Sequence, residues 1–204
     1  MSQQALFRSA TPPFADGYAY EPDFLSADEE AALIAEIQRL PLAEAEYKQY
    51  TAKRRIVSYG GRYDFNANRL HAAEPIAPFL HPLRERVAKW AGVSAERFTH
   101  ALVSEYAKGT QLGWHRDVAN FELVVGVSLL SAARMRFRRY PPQPRARSIA
   151  IELAPRSVYR LAREARWDWQ HSVPPTPALR YSITFRTLRD ASVAPPTTGL
   201  RSFT

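Results

Sequence analysis

Leu179-Arg180-Tyr181-Ser182-Ile183-Thr184-Phe185-Arg186 alternates without a break. Leu179, Tyr181, Ile183 and Phe185 fall on one side of an extended chain, and Arg180, Ser182, Thr184 and Arg186 on the other. A period of two means a strand, and two Arg on one face of a half-buried strand need anionic partners. At roughly 3.3 Å per residue their Cα atoms stand about 20 Å apart. If each side chain reaches inward by about 6–7 Å, the remaining gap is close to the length of a five-carbon diacid, which guanidinium groups grip at both ends. A solvated face on an outer strand would carry the same pattern, so spacing alone leaves both readings open.

Working outward, the chain from Ala101 onward reads as short strands separated by turns. Ala101–Tyr106, Leu112–His115, Leu123–Leu130, Arg134–Arg138, Ser148–Leu153, Ser157–Ala162 and Leu179–Leu188 are predicted strands, divided by Lys108-Gly109, Pro141-Pro142-Gln143-Pro144, Ala154-Pro155 and Pro174-Pro175. Strands in this number with no helix between them predict a mainly β domain, a sandwich or jelly roll, covered by N-terminal helices. One helix starts at Ser26, where Glu29 completes a capping box, and stops at Pro41. A second is predicted from about Pro75 to Ala91, with Gly92 just past its end. Between them, Lys53–Gly61 reads as a basic strand entering a turn. The expected organisation is an N-terminal arm over residues 1–25, one domain over 26–190 with its β core at about 100–188, and a flexible tail at 191–204.

Composition sets the class. The chain has 204 residues, 46% of them hydrophobic, enough for one sizeable core. It has no Cys, which excludes disulfides, a thiol nucleophile and a thiolate metal site. Its longest apolar run, Leu123–Leu130, is broken by Gly126 and Ser128 and falls far short of the roughly 18–20 residues a bilayer requires. The opening MSQQALFRSATPPF lacks the layout of a signal peptide, and the expectation is a cytoplasmic monomer without membrane contact. Formal charge is +8, and all of the excess lies in residues 123–204, which hold 14 Arg, no Lys and 4 acids.

Trp114-His115-Arg116-Asp117 places an imidazole and a carboxylate two residues apart, on one face of an extended segment. Such a pair can give two adjacent ligands to a metal, and a third from elsewhere would complete a two-His-one-carboxylate triad. Among His71, His81, His100 and His171 the last stands out, lying between Trp167-Asp168-Trp169-Gln170 and a Pro-rich turn. A His beside Trp is also a common structural residue, so the pair alone decides nothing.

Taken together, Leu102–Asp117 with Tyr106-Ala107-Lys108-Gly109 inside it, Val127-Ser128-Leu129, Met135-Arg136-Phe137-Arg138, His171 and Arg180–Arg186 resemble the AlkB family of Fe(II)- and 2-oxoglutarate-dependent dioxygenases. The resemblance covers about residues 50–188, in the family's order. It implies a double-stranded β-helix, with Fe(II) on His115, Asp117 and His171. It also implies that Tyr106 and Arg180 bind the distal carboxylate of 2-oxoglutarate, that Arg186 lies near its chelating end, and that Thr184 supports the strand. With O2 the family oxidises 2-oxoglutarate to succinate and CO2 and hydroxylates a substrate C–H. On an N-methylated base in DNA or RNA this releases formaldehyde and restores the base.

Ser104 and Ser182 stand where the family usually has Asn binding 2-oxoglutarate; Ser keeps one hydrogen bond but not an amide's reach, worth about 1 kcal/mol each. Members that repair 1-methyladenine or 3-methylcytosine carry an acid two positions after the metal Asp, whereas Ala119 stands here and Glu122 lies three residues farther on. Substrate contacts are expected from Arg54, Arg55, Tyr59 and Tyr63, which resemble the family's substrate-covering region; Tyr59 or Tyr63 could stack on a flipped base, and packing in the core or on the surface is an equal alternative for either. A basic ribbon, Arg134, Arg136, Arg138, Arg139, Arg145 and Arg147, could line a phosphate track, or be a solvated strand face in a chain with 24 Arg to 4 Lys. Two rivals remain: the same chemistry on a protein or small molecule, and a basic jelly roll that binds nucleic acid without turnover.

Overall fold

The computed structural model describes residues 14–47, 50–64, 69–144 and 147–190. Its centre is the alternating strand quoted above, here β13 (Arg180–Leu188), which pairs antiparallel with β6 (Phe98–Tyr106) on one side and β8 (Phe121–Leu129) on the other. Outward from them lie β3 (Tyr50–Tyr59) and β2 (Ala43–Tyr47) on one flank, and β11 (Val158–Leu161) and β1 (Ala19–Glu21) on the other, giving seven strands. Facing them is a sheet in the order β10 (Ile149–Leu153), β9 (Ala133–Arg139), β12 (Trp169–Val173), β7 (Leu112–His115). A small hairpin, β4 (Arg62–Asp64) and β5 (Arg69–His71), stands apart. Two facing antiparallel sheets with helices on one side form the double-stranded β-helix.

Alternation assigns the faces. Tyr181, Ile183 and Phe185 join Ala101, Val103, Val125, Val127 and Leu129 in the main core, under α1 (Ala27–Ile37) and α2 (His81–Ala91). Each fully buried Ile or Phe there contributes about 1.5–3 kcal/mol through apolar area removed from water. Arg180, Ser182, Thr184 and Arg186 point the other way, into the space between the sheets. A second core fills one end of that space, where Met135, Phe137, Ile151 and Leu153 meet Tyr18 and Trp169.

Several elements differ from expectation. Ser26 accepts from the Glu29 amide and the Glu29 side chain accepts from the Ser26 amide, as the capping box predicts. The second helix, however, begins at His81 rather than Pro75, because Pro78 holds Ala77 extended at ψ 140° and Pro82 is tolerated in a first turn but not inside a helix begun at Pro75; a 3-10 turn at Pro78–Leu80 leads in, and Gly92 closes it at φ 72°. Residues 14–25 are part of the fold: β1 pairs with β11, and Phe14 packs 4.4 Å from Phe137 between ring centroids. The β region also holds a short helix, α3 (Arg163–Trp167), and β12, which no periodicity announced. Residues 1–13, Arg145 and the tail from 191 lie outside the described residues. No described helix is long and apolar enough to cross a membrane.

Candidate active site

Backbone register brings the chemistry-bearing side chains together. β12 lies between β9 and β7, with His171 directly opposite His115. Cross-strand partners on one face touch, and the two imidazole centroids are 4.2 Å apart. Asp117 follows just past the end of β7, its Oδ2 3.7 Å from His171 Nε2. Its Oδ1 accepts a 2.8 Å bond from Arg186 Nε, which fixes the carboxylate and leaves Oδ2 toward the histidines. His115 Nδ1–H donates to the Gly113 carbonyl at 2.8 Å, so Nε2 carries the free lone pair.

These donors suit a divalent metal of the facial-triad kind in type and orientation. Among the described residues no three His, Asp or Glu side chains are already closed around one ion position. Two bonds of about 2.1 Å at a right angle set adjacent donors about 3 Å apart, so the His171–Asp117 pair has about 0.7 Å to close. Electrostatics leave the donors in the ligating form. Burial, and then His115, depress His171 to about 3, and burial likewise lowers His115. Burial alone would raise Asp117, but the charges of Arg186, His171 and Arg166 hold it far below the carboxylate range.

The other end of β13 is built differently. Arg180 is 2% exposed, and Tyr106 is its cross-strand partner. Its Nε donates to Ser128 Oγ at 3.1 Å, and its guanidinium carbon lies 5.0 Å from the Tyr106 ring centre. Arg54 donates a long 3.4 Å bond to the Tyr106 hydroxyl. Burial would raise the Tyr106 phenol, yet Arg54 and Arg180 outweigh it and lower its pKa. Among the described residues no carboxylate pairs with Arg180. A buried guanidinium in that state is costly unless an anion joins it, so the pocket fits a ligand carboxylate. Ser104, Ser182 and Ser128 lie side by side across β6, β13 and β8, polar and small enough to leave room above Arg180.

Of the predicted site residues, His115, Asp117, His171, Tyr106, Ser104, Arg180, Ser182 and Arg186 line one cavity, together with Arg54. Tyr63 lines its outer part with Arg54, Arg116 and Val118. The remaining expectations are corrected by strand alternation. Arg55 points away from Arg54, pairing with Glu105 at 2.9 Å and with the Leu42 carbonyl. Tyr59, 8% exposed, packs in the core under the helices and cannot stack on a substrate. Arg134, Arg136 and Arg138 project from the face of β9 opposite Met135 and Phe137, behind the sheet that carries the histidines. Arg139 is paired with Glu164.

Three contributors carried no signal of their own. Arg166, buried at 2%, has Nη2 2.8–3.1 Å from the carbonyl oxygens of Asp117, Val118 and Phe121, tying down the segment that carries the metal-facing carboxylate. His100 Nε2 lies 3.1 Å from Ser58 Oγ and its Nδ1 3.4 Å from Arg186, with its pKa lowered to about 3 by burial and then by Arg186. Tyr159 walls the cavity over Gly126, where any Cβ would come within 2.3 Å of its ring. That Gly interrupting the apolar run of β8 was the one hint available. Glu122, near the base-recognition position by sequence, accepts from Trp167 Nε1 at 3.2 Å.

The profile of the 2OG-Fe(II) oxygenase superfamily matches residues 17–186. The chain is 26% identical over 194 residues to the uncharacterized protein L905 of Acanthamoeba polyphaga mimivirus, covering 84% of each. It is 27% identical over 176 residues to the Arabidopsis thaliana alkylated DNA repair protein ALKBH8 homolog, 75% of this chain but only 49% of that protein. Among solved structures it resembles OsALKBH1, with a TM-score of 0.61 at 18% identity over 86% of this chain and 98% of that one. It also resembles a Pseudomonas putida prolyl-4-hydroxylase, with a TM-score of 0.59 at 15% identity over 86% and 94%. The chain belongs to the 2OG-Fe(II) oxygenase superfamily, whose members use Fe(II), 2-oxoglutarate and O2, and is AlkB-like within it.

Proposed function

We propose that the protein is an oxidative demethylase of N-alkylated bases in DNA or RNA, with Fe(II) held by His115, Asp117 and His171. The observation that carries the catalytic part is the convergence of these donors beside a buried Arg180 with no acid of its own. Bound there, Fe(II) with 2-oxoglutarate and O2 supplies the oxidant that hydroxylates a C–H, while 2-oxoglutarate is converted to succinate and CO2.

The chain's own side chains do the positioning. Arg180 and Tyr106 take the distal carboxylate, helped by Ser104, Ser182 and Ser128. Arg186 holds Asp117 in place and adds positive charge near the chelating end of the cosubstrate. Arg166 fixes the backbone beyond Asp117, so the carboxylate does not swing when the substrate enters. The substrate approaches from the side lined by Tyr63, Arg116, Val118 and Phe121. The alkylated-DNA-repair relative supports a nucleic-acid substrate.

One observation favours a second reading, the same chemistry on a protein or small molecule. The only carboxylate described in the mouth is Asp117, and Ala119 cannot accept a bond from a base's exocyclic amine. Incubation with Fe(II), 2-oxoglutarate and a panel of methylated single- and double-stranded oligonucleotides decides. Formaldehyde release with restoration of a base supports demethylation; succinate release without restoration of any base selects the second reading.

A further inference from the structure

The basic ribbon does not line the cavity, yet it is not an ordinary solvated face. Arg134, Arg136 and Arg138 alternate along β9, so their Cα atoms recur about every 6.6 Å on the outer side of the four-stranded sheet. Arg138 Nε donates to Gln170 Oε1 at 2.9 Å and Arg136 Nε to Ser172 Oγ at 3.2 Å. Both guanidinium groups lie over the same indole, that of Trp114, at 4.4 and 5.1 Å from the ring centre. The Nε bonds and the ring orient the two planes. Among the described residues no carboxylate pairs with any of the three Arg; exposed Glu152 sits opposite Arg134 in register without an ion pair.

We propose that this outer face of the four-stranded sheet is a docking site for single-stranded nucleic acid, separate from the catalytic cavity. Phosphates lie along this row of guanidinium groups, and bases stack on the planes of Arg136 and Arg138 beside Trp114. Charge complementarity selects a polyanion, and the flat planes held against an indole favour one with stackable bases over an acidic peptide or a lipid headgroup. Because Trp114 adjoins His115 and Ser172 adjoins His171, the strand docks on the reverse of the ligand-bearing strands. A polymer held there raises the local concentration of its own bases at the mouth, which lowers KM for long substrates and leaves kcat unchanged.

The test uses metal-free full-length protein, so its outcome is independent of the demethylase reading. Fluorescence anisotropy with a short unmodified single-stranded DNA or RNA is measured over a range of KCl, for wild type and for Arg134→Gln/Arg136→Gln/Arg138→Gln. The variant is expected to bind about tenfold or more weakly, and the slope of log Kd against log salt to fall by about 2, the value for three lost phosphate contacts on a single strand. 2-Oxoglutarate binding should not change. Photo-crosslinking of a 5-iodouridine oligonucleotide to the wild-type protein provides a readout that no folding defect can mimic, with adducts expected on Trp114 or within 134–139. Unchanged affinity and salt slope, adducts confined to other surfaces, or equal displacement of the oligonucleotide by poly-glutamate or anionic vesicles would each overturn the proposal.

Discussion

The two ends of β13 carry the same residue on the same face and use it in opposite ways. Arg186 gives its Nε to Asp117, so its charge is already matched inside the protein. Arg180 is more deeply buried and, among the described residues, has the Ser128 hydroxyl and the Tyr106 phenol around it but no carboxylate. One end is complete without a ligand; the other is completed by one. On the proposed reading the first positions the metal-facing carboxylate, and the second receives the cosubstrate's carboxylate.

Replacing each Arg in turn breaks the comparison if it is wrong. Arg180→Met should raise the Kd for 2-oxoglutarate by about 100-fold, the loss of a paired charge-assisted contact, without lowering the melting temperature of the metal-free protein. Isothermal titration and a thermal melt check both parts; a normal Kd would remove Arg180 from the cosubstrate site. Arg186→Met should leave buried Asp117 unpaired, destabilising the protein by about 3–5 kcal/mol, and should weaken iron binding by about 10- to 100-fold. Urea unfolding and Fe(II) titration measure these, and equal stability of the two variants would erase the distinction.

Arg166 extends the contrast to the loop after the carboxylate. Arg166→Ala frees three carbonyls and should cost about 3 kcal/mol, with faster amide exchange over residues 118–121 while β13 stays protected. Uniform exchange throughout would show that Arg166 holds the fold rather than the loop.

Acid sharpens the comparison further. The folded-state values of His100 and His171, near 3, lie below the ordinary 6.5, so below pH 6.5 the unfolded chain takes up protons that the folded protein does not. The stability these groups contribute is complete above about pH 6.5 and is lost as pH falls toward 3, at about 1.4 kcal/mol per pH unit for each. In metal-free protein His100→Gln should remove His100's share, about 1.4 kcal/mol per pH unit, from the fall in stability between pH 6 and 4 measured by urea unfolding; an unchanged slope would mean that His100 titrates normally. The smallest effect concerns the mouth, which Arg54 and Arg116 line, Arg116 being held on the Trp167 carbonyl and the Tyr140 ring, and where Asp117 is already paired. Neutral N-methyl bases should be turned over a few-fold faster than cationic 1-methyladenine or 3-methylcytosine in competition.

Much of the site is legible in the sequence, because its parts sit on strands whose period assigns faces. The alternation of 179–186 put Arg180 and Arg186 together on one face, which the fold turns inward, and the two-residue spacing of His115 and Asp117 likewise put those two on one face. What was not legible depends on neighbours distant in the chain. His171 lies within β12, a strand too short and aromatic to show a period, and only pairing with β7 brings it to His115. Nothing in the sequence distinguishes Arg166 from the other Arg of this region until the loop it binds comes into view. The ribbon at 134–139 was recognisable as basic and alternating, but its position behind the metal-facing strands follows from which face of β9 meets the core. The same alternation turns Arg55 and Tyr59 away while leaving Arg54 in the cavity.

The central claim is that His115, Asp117 and His171 bind Fe(II) beside a 2-oxoglutarate anchored by Arg180. It is tested most directly by the visible charge-transfer absorption of the anaerobic Fe(II)·2-oxoglutarate complex. Wild-type protein should develop the band at one equivalent of iron; His171→Ala and Asp117→Ala should lose it, and Arg180→Met should require about 100-fold more 2-oxoglutarate to reach it. A band of wild-type intensity and affinity in His171→Ala or Asp117→Ala would contradict the account.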